Sequence, residues 1–484
     1  MADSFDQFQT LVRERLADAV LSVEFTDVTD PLWSMIGQFM PESMGGRREY
    51  DTGASDYPAG YEAKYKIKVQ SGGLVTGGSF SGNTLVAMGK DSHLASGQGA
   101  DALYPDPALA PMASWVTIKM VLKRILGVVS VNDQQLTAKL ASQTVDEVAG
   151  DEAIDAAKRV RNTYLNGMYG DGTATIAQCL AGASVTETAG GVTVTLKNGT
   201  YARFMKGDII VAGSNANPRV QRAGAIAGRM NVVSIDPDGR HIKLQSRPGE
   251  GTITLSADDH LMLDGMYVFG GASDAVNSRH MNGLDSLLIN TGVFPNSTSP
   301  EFPSGLDVAH HTELKAFIQD DSAAMVEPTM ENLTLLLDKI EDAGLVPPTA
   351  IISERGVWTR WAQLERENHA TTMIPQGGAF QAAGGVAGPV LTHMGRTFQK
   401  FVSARVRPNA AYGIAPDTFM NFVPLGDRAI HWKLERTGSI FYMVQSGRQL
   451  TELSGAPFNT YGEFGCRMPP RNWKHLGLLA QRDN

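Results

Sequence analysis

SVNDQQLTAKLASQTVDEVAGDEAIDAAKRVRNTYLNGMYGDG, residues 130–172, is the stretch on which the fold turns. Asn132 or Asp133 is placed to accept backbone N–H bonds at a helix N-terminus. Leu136, Leu140, Val145 and Val148 follow, then Ala153, Ala157, Val160, Tyr164 and Met168. The later set is spaced by fours and threes, which places one apolar stripe on one helix face. Gly150 is the weak point, costing about 1 kcal/mol relative to alanine and able to bend or interrupt the helix. An unbroken helix over 133–168 would be about 54 Å long, against the three to four turns usual in a globular domain. It stops at Asn166-Gly167 and Gly170-Asp171-Gly172. Two readings follow: a long helix of an ordinary domain, or a structural spine.

The 484 residues hold material for roughly three domains and a sizeable core. With 42% hydrophobic and 19% charged residues, the composition is that of a soluble globular protein. A net charge of −9 argues against a dedicated nucleic-acid binder, which needs a basic face to neutralise phosphates. The only cysteines, Cys179 and Cys466, form no disulfide framework and no zinc site, which fits a reducing, cytoplasmic folding environment. No basic and apolar leader opens the chain, and no apolar run approaches the ~18 residues that would span a bilayer.

Outward from the spine, residues 1–22 place Phe5, Phe8, Leu16 and Val20 at helical spacing, an amphipathic helix expected to rest on something beyond itself. Residues up to 60 are rich in Gly, Pro, Ser and Asp and read as an arm. From Tyr61 to Gly97, Tyr65, Ile67 and Val69 alternate with Lys64, Lys66 and Lys68. That is a strand with one basic face, and 84–88 is its expected return strand in a long hairpin. Such a hairpin is marginal alone, so its partner is either its own domain or another subunit. Residues 114–131 read as strand leading into the spine helix.

After the spine, 184–268 carries six short β signals separated by turn chemistry such as Asn198-Gly199 and Asp236-Pro237-Asp238-Gly239. A small inserted barrel or sandwich is expected. From Asn282 the texture becomes α/β. Thr329 caps a helix bearing Leu333, Leu336, Leu337 and Ile340, closed by Gly344. A buried strand follows at 349–353, and Ser353 is expected to cap a helix with Val357, Trp358, Trp361 and Leu364. Residues 368–395 read as loop, and 398–484 as β-rich.

Catalytic signatures are scarce. Gly89-Lys90 lacks the leading glycine of a phosphate loop, and Phe80 stands where a nucleophile elbow needs serine. His310-His311 with Asp307 and Glu313 are candidate metal ligands, but adjacent histidines point in different directions, which favours a solvated surface. Asp320-Asp321 lacks the alternating oxygens of a calcium loop. Gly170-Asp171-Gly172 is explained by a turn leaving a helix. No enzyme, cofactor or metal is expected.

The order of parts carries a resemblance. An N-terminal arm and a Gly-rich hairpin lead to KRILGVVSVNDQQL and a long helix ending GMYGDGT. A β insertion, MNGLDSLL and an α/β segment with PPTAIISERGVWTRW follow. This α+β arrangement resembles the major capsid proteins of tailed bacteriophages with the Hong Kong 97-type fold, some of which carry an added β-barrel. The resemblance implies an N-terminal arm over 1–60, an extended β-hairpin loop over 61–105 and a peripheral domain with the spine helix over 106–180. It further implies a β-barrel-like insertion over 184–268, an axial domain over 281–395, and the peripheral return with the C-terminal segment over 396–484.

It also implies the function: a major capsid subunit of the virion, assembling in the bacterial host cytoplasm into hexamers and pentamers of an icosahedral head around double-stranded DNA. Phe5, Phe8, Tyr65, Lys66, Lys68 and Lys90 are the implied inter-subunit contacts. Some family members cross-link a loop lysine to a neighbour's asparagine, but no catalytic partner is assignable here and none is expected. Only about 60 residues precede the hairpin, so a separate scaffolding protein is expected, with a portal and a decoration protein as further partners. Contact with packaged DNA would be weak and non-specific, and no membrane is involved. The alternative is a β-rich surface adhesin or ligand-binding protein, drawn from the 184–268 module and the 51 glycines.

Overall fold

An extended chain turns successive side chains to opposite faces, and the alternating run at Glu62–Gln70 forms strand β1. The computed structural model describes residues 30–33, 35, 62–70, 78–81, 84–87, 114–121, 123–132, 145–198, 203–236, 240–270, 277–294, 306–308, 312–368, 373–376, 379–382, 390–393, 396–422, 430–432, 442–446 and 449–481. Among the described residues, Gly78–Ser81 (β2) and Thr84–Ala87 (β3) pair only with each other, while β1 pairs with Ser114–Val121 (β4). The expected return strand at 84–88 is therefore corrected. Four-residue strands separated by Gly82-Asn83 close on themselves as a tight hairpin, and the nine-residue β1 takes the eight-residue β4 as a partner of matching length. Lys64–Lys119 forms one compact unit, and the rest of the chain another.

In the larger unit, Lys123–Asn132 is β5 and Val145–Met168 is helix α1. Asn132 is the last residue of β5, while Asp133, the other expected cap, lies with the rest of 133–144 outside the described residues. Gly150 does not interrupt α1, whose ends enclose it. Val160, Tyr164 and Met168, the last turns of the expected stripe, are buried, as is Leu165 beside them.

The barrel follows. Ala177–Cys179 (β6), Val192–Asn198 (β8), Ile209–Gly213 (β9), Arg229–Ile235 (β10), His241–Ser246 (β11) and His260–Leu263 (β13) close in the order β10-β11-β8-β6-β13-β9. The short pair Ala183–Val185 (β7) and Ile253–Leu255 (β12) adds to it as a separate two-stranded sheet. Strand β6 begins ahead of residue 184, so the signal that closes the barrel precedes the module read from sequence. Alternation in β11 sends Ile242, Leu244 and Ser246 inward. Ile242 and Leu244 join Val194, Leu196, Ile210, Met230, Val232 and Leu261 in one apolar core. Eight strands make a barrel just wide enough for side chains to fill, and this six-stranded one is filled by its own.

Next come the short helix α2 at Leu284–Leu287, β14 at Val293–Phe294, β15 at Leu306–Asp307 and β16 at Phe317–Asp320. Helix α3, Met330–Asp342, starts as expected: Thr329 accepts the N–H of Asn332 at 3.2 Å. It ends at Gly344 (φ +71°), whose N–H bonds Glu341 O while that of Leu345 bonds Ile340 O, the paired bonds of a Schellman cap. Ala350–Ser353 is β17, wholly buried, and Arg355–Asn368 is α4. Ser353 does not cap α4. It ends the buried strand, and its hydroxyl donates to Ala410 O at 2.7 Å.

Part of the stretch read as loop is strand. Met373–Gln376 (β18) and Ala379–Ala382 (β19) pair across the two residues Gly377-Gly378, and Val390–His393 (β20) joins Arg396–Val402 (β21). Glycine pairs punctuate hairpins as well as loops, and the loop reading overlooked that. Ala410–Ile414 (β22), Phe419–Phe422 (β23), Ile430–Trp432 (β24), Tyr442–Ser446 (β25), Gln449–Cys466 (β26) and Trp473–Leu476 (β27) complete the chain. A six-stranded mixed sheet runs β16-β27-β22-β17-β21-β20. Leu333, Leu336, Leu337 and Ile340 of α3 and Val357 and Trp361 of α4 share a core with Ile351, Phe398, Ala411 and Trp473 of this sheet. A second sheet is built on β26, which pairs antiparallel with β5 from Leu453↔Asn132 to Gly462↔Lys123.

Candidate functional site

Among the described residues, no group of three or more His, Cys, Asp or Glu side chains is arranged to hold a metal ion, and no helix is long and apolar enough to cross a membrane. Chemistry-bearing side chains gather instead at the end of α1, where residues 30–33, the barrel and the two sheets meet.

Asp30-Pro31-Leu32-Trp33 is the first part of that junction. Asp30 Oδ1 accepts the N–H of Leu32 at 3.0 Å and of Trp33 at 3.3 Å, capping the turn that carries both apolar side chains inward. Leu32 and Trp33 are buried, and the Trp33 ring meets Tyr164 edge to face at 5.8 Å. The Asp30 carboxylate also accepts Tyr169 OH at 2.8 Å and Ser403 Oγ at 3.0 Å, with Arg405 Nη1 at 3.7 Å. Burial raises the Tyr169 phenol well above its ordinary value, and the neighbouring carboxylate adds to that, so the hydroxyl remains a donor.

Arg203, between β8 and β9, is the second part. Its Nε and Nη2 donate to Arg405 O at 3.0 and 2.7 Å, and Nη1 to Ile176 O at 3.3 Å. Its own carbonyl accepts Asn166 Nδ2 at 2.8 Å, so one residue ties the barrel to α1 and to the 403–405 turn. Burial lowers its pKa, and Asp285 works against that. Burial likewise opposes ionisation of Asp285, but Lys474 and Arg407 with the Tyr412 hydroxyl outweigh it and hold the carboxyl below the usual range. Tyr412 OH donates to Asp285 Oδ1 at 2.8 Å, and Lys474 Nζ stands 3.4 Å from the same oxygen.

The third part is the return from the barrel, residues 277–283. A side chain on Gly283 would run into the Gly167 and Gly170 backbone, so this segment lies directly on the end of α1. His280 is held neutral by burial, its pKa pushed down to about 4. Glu463 on β26 accepts the Asn282 N–H at 2.7 Å and the Phe464 N–H at 3.1 Å. Burial raises its pKa to about 7, partly countered by Lys123. Burial also lowers the Lys123 ammonium, whose Nζ donates to Ser278 O at 3.3 Å. These groups hold each other. Buried, paired and engaged with main chain, they are suited to fixing angles between parts rather than to attacking a substrate.

Of the contact residues expected from sequence, Tyr65, Lys66 and Lys68 lie in β1, while Phe5, Phe8 and Lys90 lie outside the described residues, as do His310 and His311. Asp320 caps its own turn through the Ser322 N–H at 3.0 Å, and Asp321 bonds His475 Nε2 at 2.9 Å. Asp171 accepts the Thr173 N–H at 2.8 Å, the turn expected there. The junction itself was missed. Asp followed by Pro is a helix-start signal, and it could have marked residues 30–33. Nothing local marks Glu463 or Arg203.

No family model matches the chain, and no curated protein matches it by sequence. Among solved structures, the chain is similar to the capsid asymmetric unit of cyanophage A-1(L), with 8% identity and TM-score 0.38 over 86% of this chain and 88% of that one. It is similar to the capsid of Myoviridae phage XM1, with 9% identity and TM-score 0.34 over 90% and 91%. It is also similar to the SrpI encapsulin of Synechococcus elongatus, with 8% identity and TM-score 0.31 over 76% and 78%.

Proposed function

We propose that the chain is a non-enzymatic shell-forming protein, the major capsid subunit of a tailed-phage head. One observation carries the reading: a long helix and a ten-pair β5–β26 ladder form a stiff frame, with a barrel inserted between the helix and the second sheet. The frame ends in a buried junction that makes the parts one body, as a subunit under mechanical load requires. In this reading the extended loop would correspond to the compact unit Lys64–Lys119.

Assembly into hexamers and pentamers would use this loop and the arm, with Phe5, Phe8, Tyr65, Lys66, Lys68 and Lys90 as contacts to neighbours. Many modest contacts repeated around a closed shell add up through multivalency. A separate scaffolding protein, a portal and a decoration protein are the proposed partners, and the head encloses double-stranded DNA. An acidic subunit grips that DNA weakly, which suits a genome that must leave. The adhesin or ligand-binding reading draws less support, because the barrel interior is occupied by its own side chains.

Electron microscopy of the expressed protein, alone and with the products of neighbouring genes, tests the proposal. Closed shells, tubes or rings of hexamers are expected. Persistent monomers or small oligomers in both preparations rule the reading out.

A further inference from the structure

We infer that Glu463 is a protonation switch that fastens the 278–283 segment, and with it the root of the barrel and the end of α1, to strand β26. The argument begins with the carboxylate's surroundings. Glu463 is wholly buried. One oxygen, Oε1, takes both main-chain N–H bonds, from Asn282 and Phe464. The other, Oε2, is buried with no hydrogen-bond partner. An ionised carboxylate with one bare oxygen in an apolar site is costly, whereas the neutral acid keeps both N–H bonds and sheds most of that cost.

The facing charges are few. Among the described residues Lys123 on β5 is the opposite charge acting on Glu463, its bond goes to Ser278 O, and the Asn282 side chain also hydrogen-bonds the carboxyl. On the 278–283 segment His280 is neutral, its pKa pushed down to about 4. From α1 the group facing this strand is Tyr164, whose ring lies against Gly462. Within this corner burial raises the Glu463 carboxyl to about 7 and lowers the Lys123 ammonium from its ordinary value.

The consequence runs through the backbone. Ser278 O binds Lys123, Asn282 N–H binds Glu463, and Gly283 rests on Gly167 and Gly170. When the carboxyl loses its proton, the buried charge must draw water or the Lys123 ammonium to Oε2. Either movement strains the two ends of the segment that Lys123 and Glu463 pin. A carboxyl whose folded pKa lies above its unfolded value stabilises the fold most at low pH, and that stability is lost as pH rises through about 7.

Hydrogen exchange of the full-length protein, corrected for the intrinsic pH dependence of exchange, reads the switch directly. Protection of the 278–283 amides is expected to fall about tenfold between pH 6 and pH 8.5 in the wild type. Glu463→Gln keeps an oxygen for both N–H groups and carries no proton to lose, so its protection should be level across that range. Lys123→Met removes the cation that favours the charged form and should move the midpoint upward. A wild-type segment equally protected at both pH values overturns the inference, as does a Glu463→Gln protein with the wild-type slope or a Lys123→Met midpoint that stays in place. The readout is local and independent of assembly, so failure here leaves the capsid reading standing, and the reverse also holds.

Discussion

Trp33 shows what one residue does in this protein. It reaches the core only because Asp30 turns the chain, and it fills the space beside Tyr164 at the end of α1. Truncation to alanine should cost about 3–5 kcal/mol, as for other buried large aromatics, and would appear in a denaturant melt as a lowered midpoint. Asp285 makes a different case, because its worth depends on pH. Its folded pKa lies below the ordinary value, so its contribution is present above the unfolded carboxylate range and is lost as pH falls through the folded value. Asp285→Asn leaves Lys474 buried without its carboxylate, at a cost of about 3–5 kcal/mol at neutral pH. The gap between wild type and variant should narrow as the melts are taken to lower pH. An equal gap at every pH would show that packing, not charge, is what the substitution removes.

Elements differ in how far their own sequence explains them. Helix α3 is explained almost completely: its cap, its buried face and its Schellman end are all local. Thr329→Ala should cost about 1 kcal/mol, measurable as a small shift in thermal midpoint without change in secondary-structure content. Helix α1 is explained only over its last turns, where the apolar stripe of Val160, Tyr164 and Met168 is buried. Residues 133–144, over which the helix was expected to begin, lie outside the described residues, and Asn132 before them is strand. Asn132 pairs with Leu453, a partner more than 300 residues away that no local signal announces. The barrel was legible as repeated short strands, because turn chemistry is local. Its closure by β6 was not, since three residues carry no period.

For the whole molecule, the proposal makes assembly the property to test. Deleting residues 61–97 should leave a folded protein that fails to form shells, with a cooperative melt and no particles by microscopy. Closed shells from that deletion would remove the loop from the assembly mechanism while leaving the junction at α1 untouched. The junction joins residues 30–33, the barrel, α1 and the two sheets through Asp30, Arg203, Asp285 and Glu463, groups far apart in the sequence.

The sequence by itself determined what periodicity and local chemistry can encode: the α+β texture, the inserted short strands, the caps of α3, the buried strand β17, and the scarcity of catalytic signatures. Tertiary structure alone decided which strands pair and which charged residues are buried together. The physical reason is range. A cap or an amphipathic face is satisfied within a few residues, whereas Asp30 with Ser403, or Glu463 with Asn282, gains a partner only after the backbone has brought distant segments into contact.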